Sequence, residues 1–106
     1  MISGRFHHFG VPSRTQRPGE MYIPGGKVHV TDPSKHPYGV EFVRFDADSP
    51  MPEAVKTRAH AAFVVPNLEA ALKGQQVLIP PFDATERLRA AFIIDGEAVI
   101  ELLEEK

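Results

Sequence analysis

Short runs of alternating apolar and polar residues, cut by Pro, Gly, Asn and Asp, predict strands and turns rather than long helices. Arg5 to Val11 reads as a strand that Pro12 ends. Residues 13–20 are polar, contain Pro18-Gly19, and read as a loop. Met21 to Ile23 and Lys27 to Val30 flank Pro24-Gly25-Gly26, a hairpin signal. Thr31 to Pro37 is a turn-rich connection, and Tyr38 to Phe45 is a strand. Asp46 to Pro52 breaks the pattern, which places a boundary between half-modules of about 1–50 and 51–106 within a single 1–106 domain.

The second half opens with a strand, Ala59 to Val65. Pro66 to Gly74 predicts a compact helix. Asn67 can accept from its first free N–H groups, and Gly74 supplies a left-handed stop. Gln76 to Pro80 is a short strand. Leu88 to Ile94 and Glu97 to Leu103 are strands joined by Asp95-Gly96, which favours a type I′ turn. The order is therefore strand, helix, three strands. The first half has the same strand rhythm with a loop in place of the helix, so the chain carries a weak internal repeat.

The repeat matters because of four polar residues. Glu41 lies within Gly-Val-Glu-Phe-Val and Glu101 within Ala-Val-Ile-Glu-Leu-Leu. On a strand each shares its face with residues two positions away, Gly39 and Val43 or Val99 and Leu103. A carboxylate in such company costs several kcal/mol unless it gains a partner or its pKa rises. Each half also has a histidine in its first strand. His8 and His60 become equivalent when the halves are aligned on Gly10 and Ala62. Two imidazoles and two carboxylates converging in a cleft would make a mixed N/O site for a first-row divalent ion. The plainer alternatives are solvent-facing glutamates, glutamates paired with Arg44 or Arg89, and histidines hydrogen-bonded in the core or at an edge. His7 alternates to the opposite face from His8. His29 and His36 read as surface or pocket-rim residues. Tyr22, Tyr38, Phe92 and Arg89 are candidate wall residues whose first reading is an ordinary core or surface role.

Composition narrows the classes. Net charge is −2 with no basic block, which disfavours nucleic-acid binding. No apolar run reaches a membrane span, and the start, Met-Ile-Ser-Gly-Arg-Phe-His-His, is expected to hold no signal peptide. The chain has no cysteine, so thiolate sites, iron–sulfur clusters and cysteine nucleophiles are excluded and a cytoplasmic location is expected. A phosphate-cradling loop, a Gly-x-Ser-x-Gly elbow and a His-Glu-x-x-His helix are all lacking.

His8-Phe-Gly-Val-Pro, Gly39-Val-Glu-Phe, His60-Ala-Ala-Phe-Val-Val-Pro-Asn-Leu-Glu-Ala-Ala-Leu and Val99-Ile-Glu-Leu-Leu resemble the vicinal oxygen chelate superfamily. That superfamily includes glyoxalase I, methylmalonyl-CoA epimerase, extradiol dioxygenases and bleomycin-resistance proteins. The resemblance covers nearly the whole chain and is strongest from His60 to Leu72. It implies an α+β, glyoxalase-like fold of two βαβββ modules, the first lacking its helix, with curved mixed sheets around a cleft. It implies one divalent ion (Ni, Zn, Mn, Fe or Co) on His8, Glu41, His60 and Glu101. In the superfamily the first ligand precedes a hydrophobic residue and then Gly or Ala, which favours His8 over His7. A four-ligand set resembles the glyoxalase and epimerase branch. The expected activity is isomerase- or lyase-type chemistry on a small oxo- or hydroxy-carbonyl metabolite through a metal-stabilised enediolate. Glu41 or Glu101 would be the general base, and the protein would be a homodimer. The alternative is a non-catalytic small-ligand module of the bleomycin-resistance type.

Overall fold

The computed structural model describes residues 3–106. Met1 and Ile2, the start of the segment expected to hold no signal peptide, lie outside them. The fold is α+β and mostly strand, with eight strands and two short α-helices among the described residues. Contacts divide the described residues into two compact units, His8–Ala59 and residues 3–7 with His60–Lys106. Among the described residues no helix is long and apolar enough to cross a membrane.

The His8–Ala59 unit contains most of β1 (Arg5–Pro12), then β2 (Met21–Ile23), β3 (Val28–Val30) and β4 (Val40–Phe45). Their order is β2-β3-β4-β1, with β4 parallel to β1 and the other pairs antiparallel. The predicted hairpin is present. Lys27 belongs to its turn rather than its strand, with a left-handed φ of 47°. Ser49 Oγ donates to the carbonyl of Gly26 at 2.6 Å. A side chain at Gly26 would meet Met51 Cε at 2.9 Å, so glycine lets the segment after β4 lie against this turn. A single 3-10 turn, Pro33–Lys35, follows Asp32, whose carboxylate accepts from Ser34 N at 2.9 Å. Helix α1 (Glu53–Thr57), which the sequence pattern did not predict, buries Val55.

The two faces of this sheet differ in chemistry. One buries Val28, Val30 and Val43 against Ile23 and Phe45. The other presents Tyr22, His29, Phe42 and Arg44, which the pairing register places together. No apolar stripe is available there for an amphipathic helix to cover. Residues 13–20 form bends and a turn instead. They set the Arg17 guanidinium 3.6 Å above the Phe42 ring and Glu20 against Arg44 at 2.6 and 3.1 Å. A loop of charged side chains thus does the covering that a helix would do over an apolar face.

Arg44 holds the Glu20 carboxyl below its ordinary value of 4.5. The Glu20 side chain is 8% exposed. A lowered folded-state pKa contributes stability above the unfolded value, lost as pH falls through the folded one. Glu20→Gln should therefore melt below the wild type at pH 7, and the gap should close as pH falls below 4.5. Thermal melts across that range check this; a gap constant with pH would refute it.

The second unit holds β5 (His60–Val64), α2 (Leu68–Leu72), β6 (Gln76–Asp83), β7 (Leu88–Asp95) and β8 (Ala98–Glu105). The strand order is β5-β8-β7-β6, with β5 parallel to β8. Asn67 caps α2, its side chain accepting from Ala70 N at 2.8 Å. The helix packs on Val65, Ala91, Ile93 and Leu102. The opposite face buries Ala62, Ala90 and Leu103. The β7–β8 turn differs from the prediction by one residue. Asp95 pairs with Ala98, so Gly96 and Glu97 are its central residues. Only Gly96 has positive φ, 57°, the pattern of a type II′ turn rather than I′. Strand β6 runs to Asp83, past the predicted end at Pro80, because it is the outer strand and tolerates Pro80 and Pro81 at irregularities in its register.

Candidate metal centre

Each unit contains one parallel strand pair, and each pair carries one histidine and one glutamate. In β1 and β4, Glu41 lies opposite Gly10, two residues beyond His8. In β5 and β8, Glu101 lies opposite Ala62, two residues beyond His60. The register is the same in both. Residues two apart on a strand share a face, as do directly opposed residues. His8 and Glu41 therefore project from one face, and so do His60 and Glu101. Gly10 and Ala62 are the small residues that leave room between them.

The distances follow from this register. His8 Nε2 is 3.4 Å from Glu41 Oε1, and His60 Nε2 is 3.1 Å from Glu101 Oε1. His8, His60 and Glu101 are buried, while the Glu41 side chain retains 18% exposure. Each carboxylate thus has an imidazole as a neighbour, which offsets part of its desolvation cost. Arg44 and Arg89, the alternative partners, are engaged elsewhere. Arg44 binds Glu20; Arg89 binds Glu69 at 2.7 Å and Glu104 at 2.9 Å.

His8, His60 and Glu101 are buried donors of kinds that could ligate a metal ion. Imidazoles and carboxylates, with no thiolate, suit a first-row divalent cation.

The remaining histidines have other surroundings. His7 is exposed and lies in a surface hollow with Arg87, Leu88, Glu105 and Lys106. His29 Nε2 lies 3.1 Å from Asp46, whose other oxygen accepts from Tyr22 at 3.2 Å. His36 accepts from Tyr38 N at its Nδ1, 3.0 Å away, and packs against Phe42. Tyr38 is 80% exposed. One of the candidate wall residues adjoins the second unit's pair. Phe92 is 5% exposed, lies opposite Glu101 in the β7–β8 register, and meets the His60 ring edge-on.

No protein-family model and no curated protein matches this chain. The crystal structure of a hypothetical protein from Bacillus halodurans is similar in fold, with a TM-score of 0.73. The two share 16% identity over 99% of this chain and 96% of that one. The likeness extends over almost the whole length of both and is one of fold.

Proposed function

We propose that the chain is a metal-dependent, glyoxalase-like member of the vicinal oxygen chelate superfamily that acts on a small oxo- or hydroxy-carbonyl metabolite. The observation that carries this reading is the repeated register, with a histidine and a glutamate at matching positions of two parallel strand pairs. Neither strand needs these polar residues to fold, and both would fold more readily with apolar ones there. In this reading His8, His60 and Glu101 hold the ion, with Glu41 as the further ligand that the superfamily pattern implies. The bound ion would polarise a carbonyl oxygen. The chain's own contribution is to orient the substrate and to move a proton on Glu41 or Glu101. Glu41, the more exposed of the two carboxylates, is the better placed to exchange protons with a ligand.

The reaction class is isomerase or lyase, the assembly a homodimer and the setting cytoplasmic. Elemental analysis of purified protein is the first test, followed by a metal-by-metal activity screen on oxo-acids and hemithioacetals. Stoichiometric Ni, Zn, Mn, Fe or Co with turnover on either class is the expected result. A chain that takes up none of these metals overturns the proposal. Size-exclusion with light scattering tests the dimer separately.

A second reading has one observation in its favour. Each glutamate already has an imidazole within 3.4 Å, so the pairs can be buried without an ion. A non-catalytic small-ligand module of the bleomycin-resistance type would use the sites in that state. Ligand binding by metal-free protein, with no turnover under any metal, favours it.

A further inference from the structure

We propose that Phe92, backed by Phe82, is a positioning residue that fixes the plane of the His60 imidazole for metal binding; this rests on the metal-dependent reading above. The His60 and Phe92 ring centroids are 5.1 Å apart and the planes are inclined by 79°, an edge-to-face contact. Histidine χ2 is a soft, broad torsion, so neighbours decide the ring's orientation. Orientation matters to a ligand because the nitrogen lone pair lies in the ring plane. A ring free to turn binds an ion only in part of its range. Phe92 limits that range from one side.

Phe92 is itself held. It is 5% exposed, and its strand position lies opposite Glu101. One aromatic side chain therefore adjoins both the histidine and the glutamate of this pair. Phe82 stacks beside it, with planes 4° apart and centroids 6.5 Å apart. Phe82 reaches that place through the irregular register of β6. Val77 pairs with Ile93 and Ile79 with Phe92, but Phe82 pairs with Ala90. The strand thus carries one extra residue between Val77 and Ile79 and another between Ile79 and Phe82, where two prolines that lack a donor face Ala91. Irregularities of this kind re-aim side chains. Here they bring Phe82 over the face that carries Phe92, in the same apolar cluster as Ala62 and Leu103. The pair also forms an apolar shell on one side of His60, and such shells tune a metal site's dielectric and water access.

The test uses the full chain loaded with Co(II), whose visible bands report ligand geometry. Phe92→Leu retains an apolar side chain but removes the ring edge. It should melt cooperatively, weaken Co(II) about tenfold, and shift the visible bands. Phe82→Leu should change affinity and spectrum in the same direction by less. If Phe92→Leu fails to fold, Phe82→Leu carries the test. Folded variants with wild-type affinity and bands overturn the role of Phe92 while leaving the metal reading intact. Wild-type protein that binds no metal overturns both, and that failure is visible before any variant is made.

Discussion

On the metal-dependent reading, Glu101→Ala should abolish metal binding while leaving the chain folded. Glu101 is buried, its side chain 10% exposed, and its Oε1 lies 3.1 Å from His60 Nε2. Removing it takes away an anionic donor, and with it charge that favours a divalent ion there. Outer-shell changes at metal sites cost about tenfold to a hundredfold in affinity, so loss of an inner carboxylate should exceed about a hundredfold. Elemental analysis after dialysis should fall to background. The variant should still fold, because it deletes a buried acid whose desolvation opposes folding. Glu41→Ala provides the contrast. Glu41 is more exposed, so a smaller loss is expected. Unchanged metal content in Glu101→Ala would sink the ligand assignment, and equal losses at both glutamates would sink the ranking.

The residues of the candidate site were legible because strand periodicity and the internal repeat act together. Aligning the halves on Gly10 and Ala62 anticipates the observed pairing, in which those residues oppose Glu41 and Glu101. What surrounds them was less legible, and the β7–β8 turn shows why. A turn centred on Asp95-Gly96 would set Ala90 opposite Glu101. The turn centred on Gly96-Glu97 sets Phe92 there. Both registers keep the same face inward, so the apolar pattern cannot choose between them. The choice lies in which residue takes positive φ, and Gly96 takes it as the first central residue. Phe82 was hidden for a related reason. Its place depends on irregular register around Pro80-Pro81, which alternation does not encode. Helix α1 was missed because five residues among prolines carry too little periodicity to register. The loop over Phe42 and Arg44 shows the reverse case. Its lack of a helix was plain in the sequence, but the ion pair and ring contact that replace the helix were not.

The largest stability loss is expected at Leu68, on the side of the second sheet away from His60. Helix α2 has only five residues, too few to persist alone, so its stability comes from packing. Leu68 supplies much of it. It has 0% exposure and sits among Val65, Ala91, Ile93 and Leu102. Its N–H also donates to Glu104 Oε2 at 3.0 Å, and Glu104 is held by Arg89, which reaches Glu69 on the same helix. Leu68→Ala keeps that backbone bond but opens a cavity at the helix–sheet contact. Such substitutions cost about 2–5 kcal/mol, and in a domain of this size that lowers the melting point by roughly 10–30 °C. Glu69→Ala removes an exposed ion pair on the same helix and should shift it much less. The sheet separates the two effects. Leu68 packs against Ala91, Ile93 and Leu102, whereas His60 and Glu101 lie on the opposite face of β5 and β8. Below its lowered melting point, Leu68→Ala should therefore bind Co(II) as the wild type does. A small melting shift would show that α2 is not held by this contact. Weakened metal binding in the folded variant would show that the two faces are mechanically coupled.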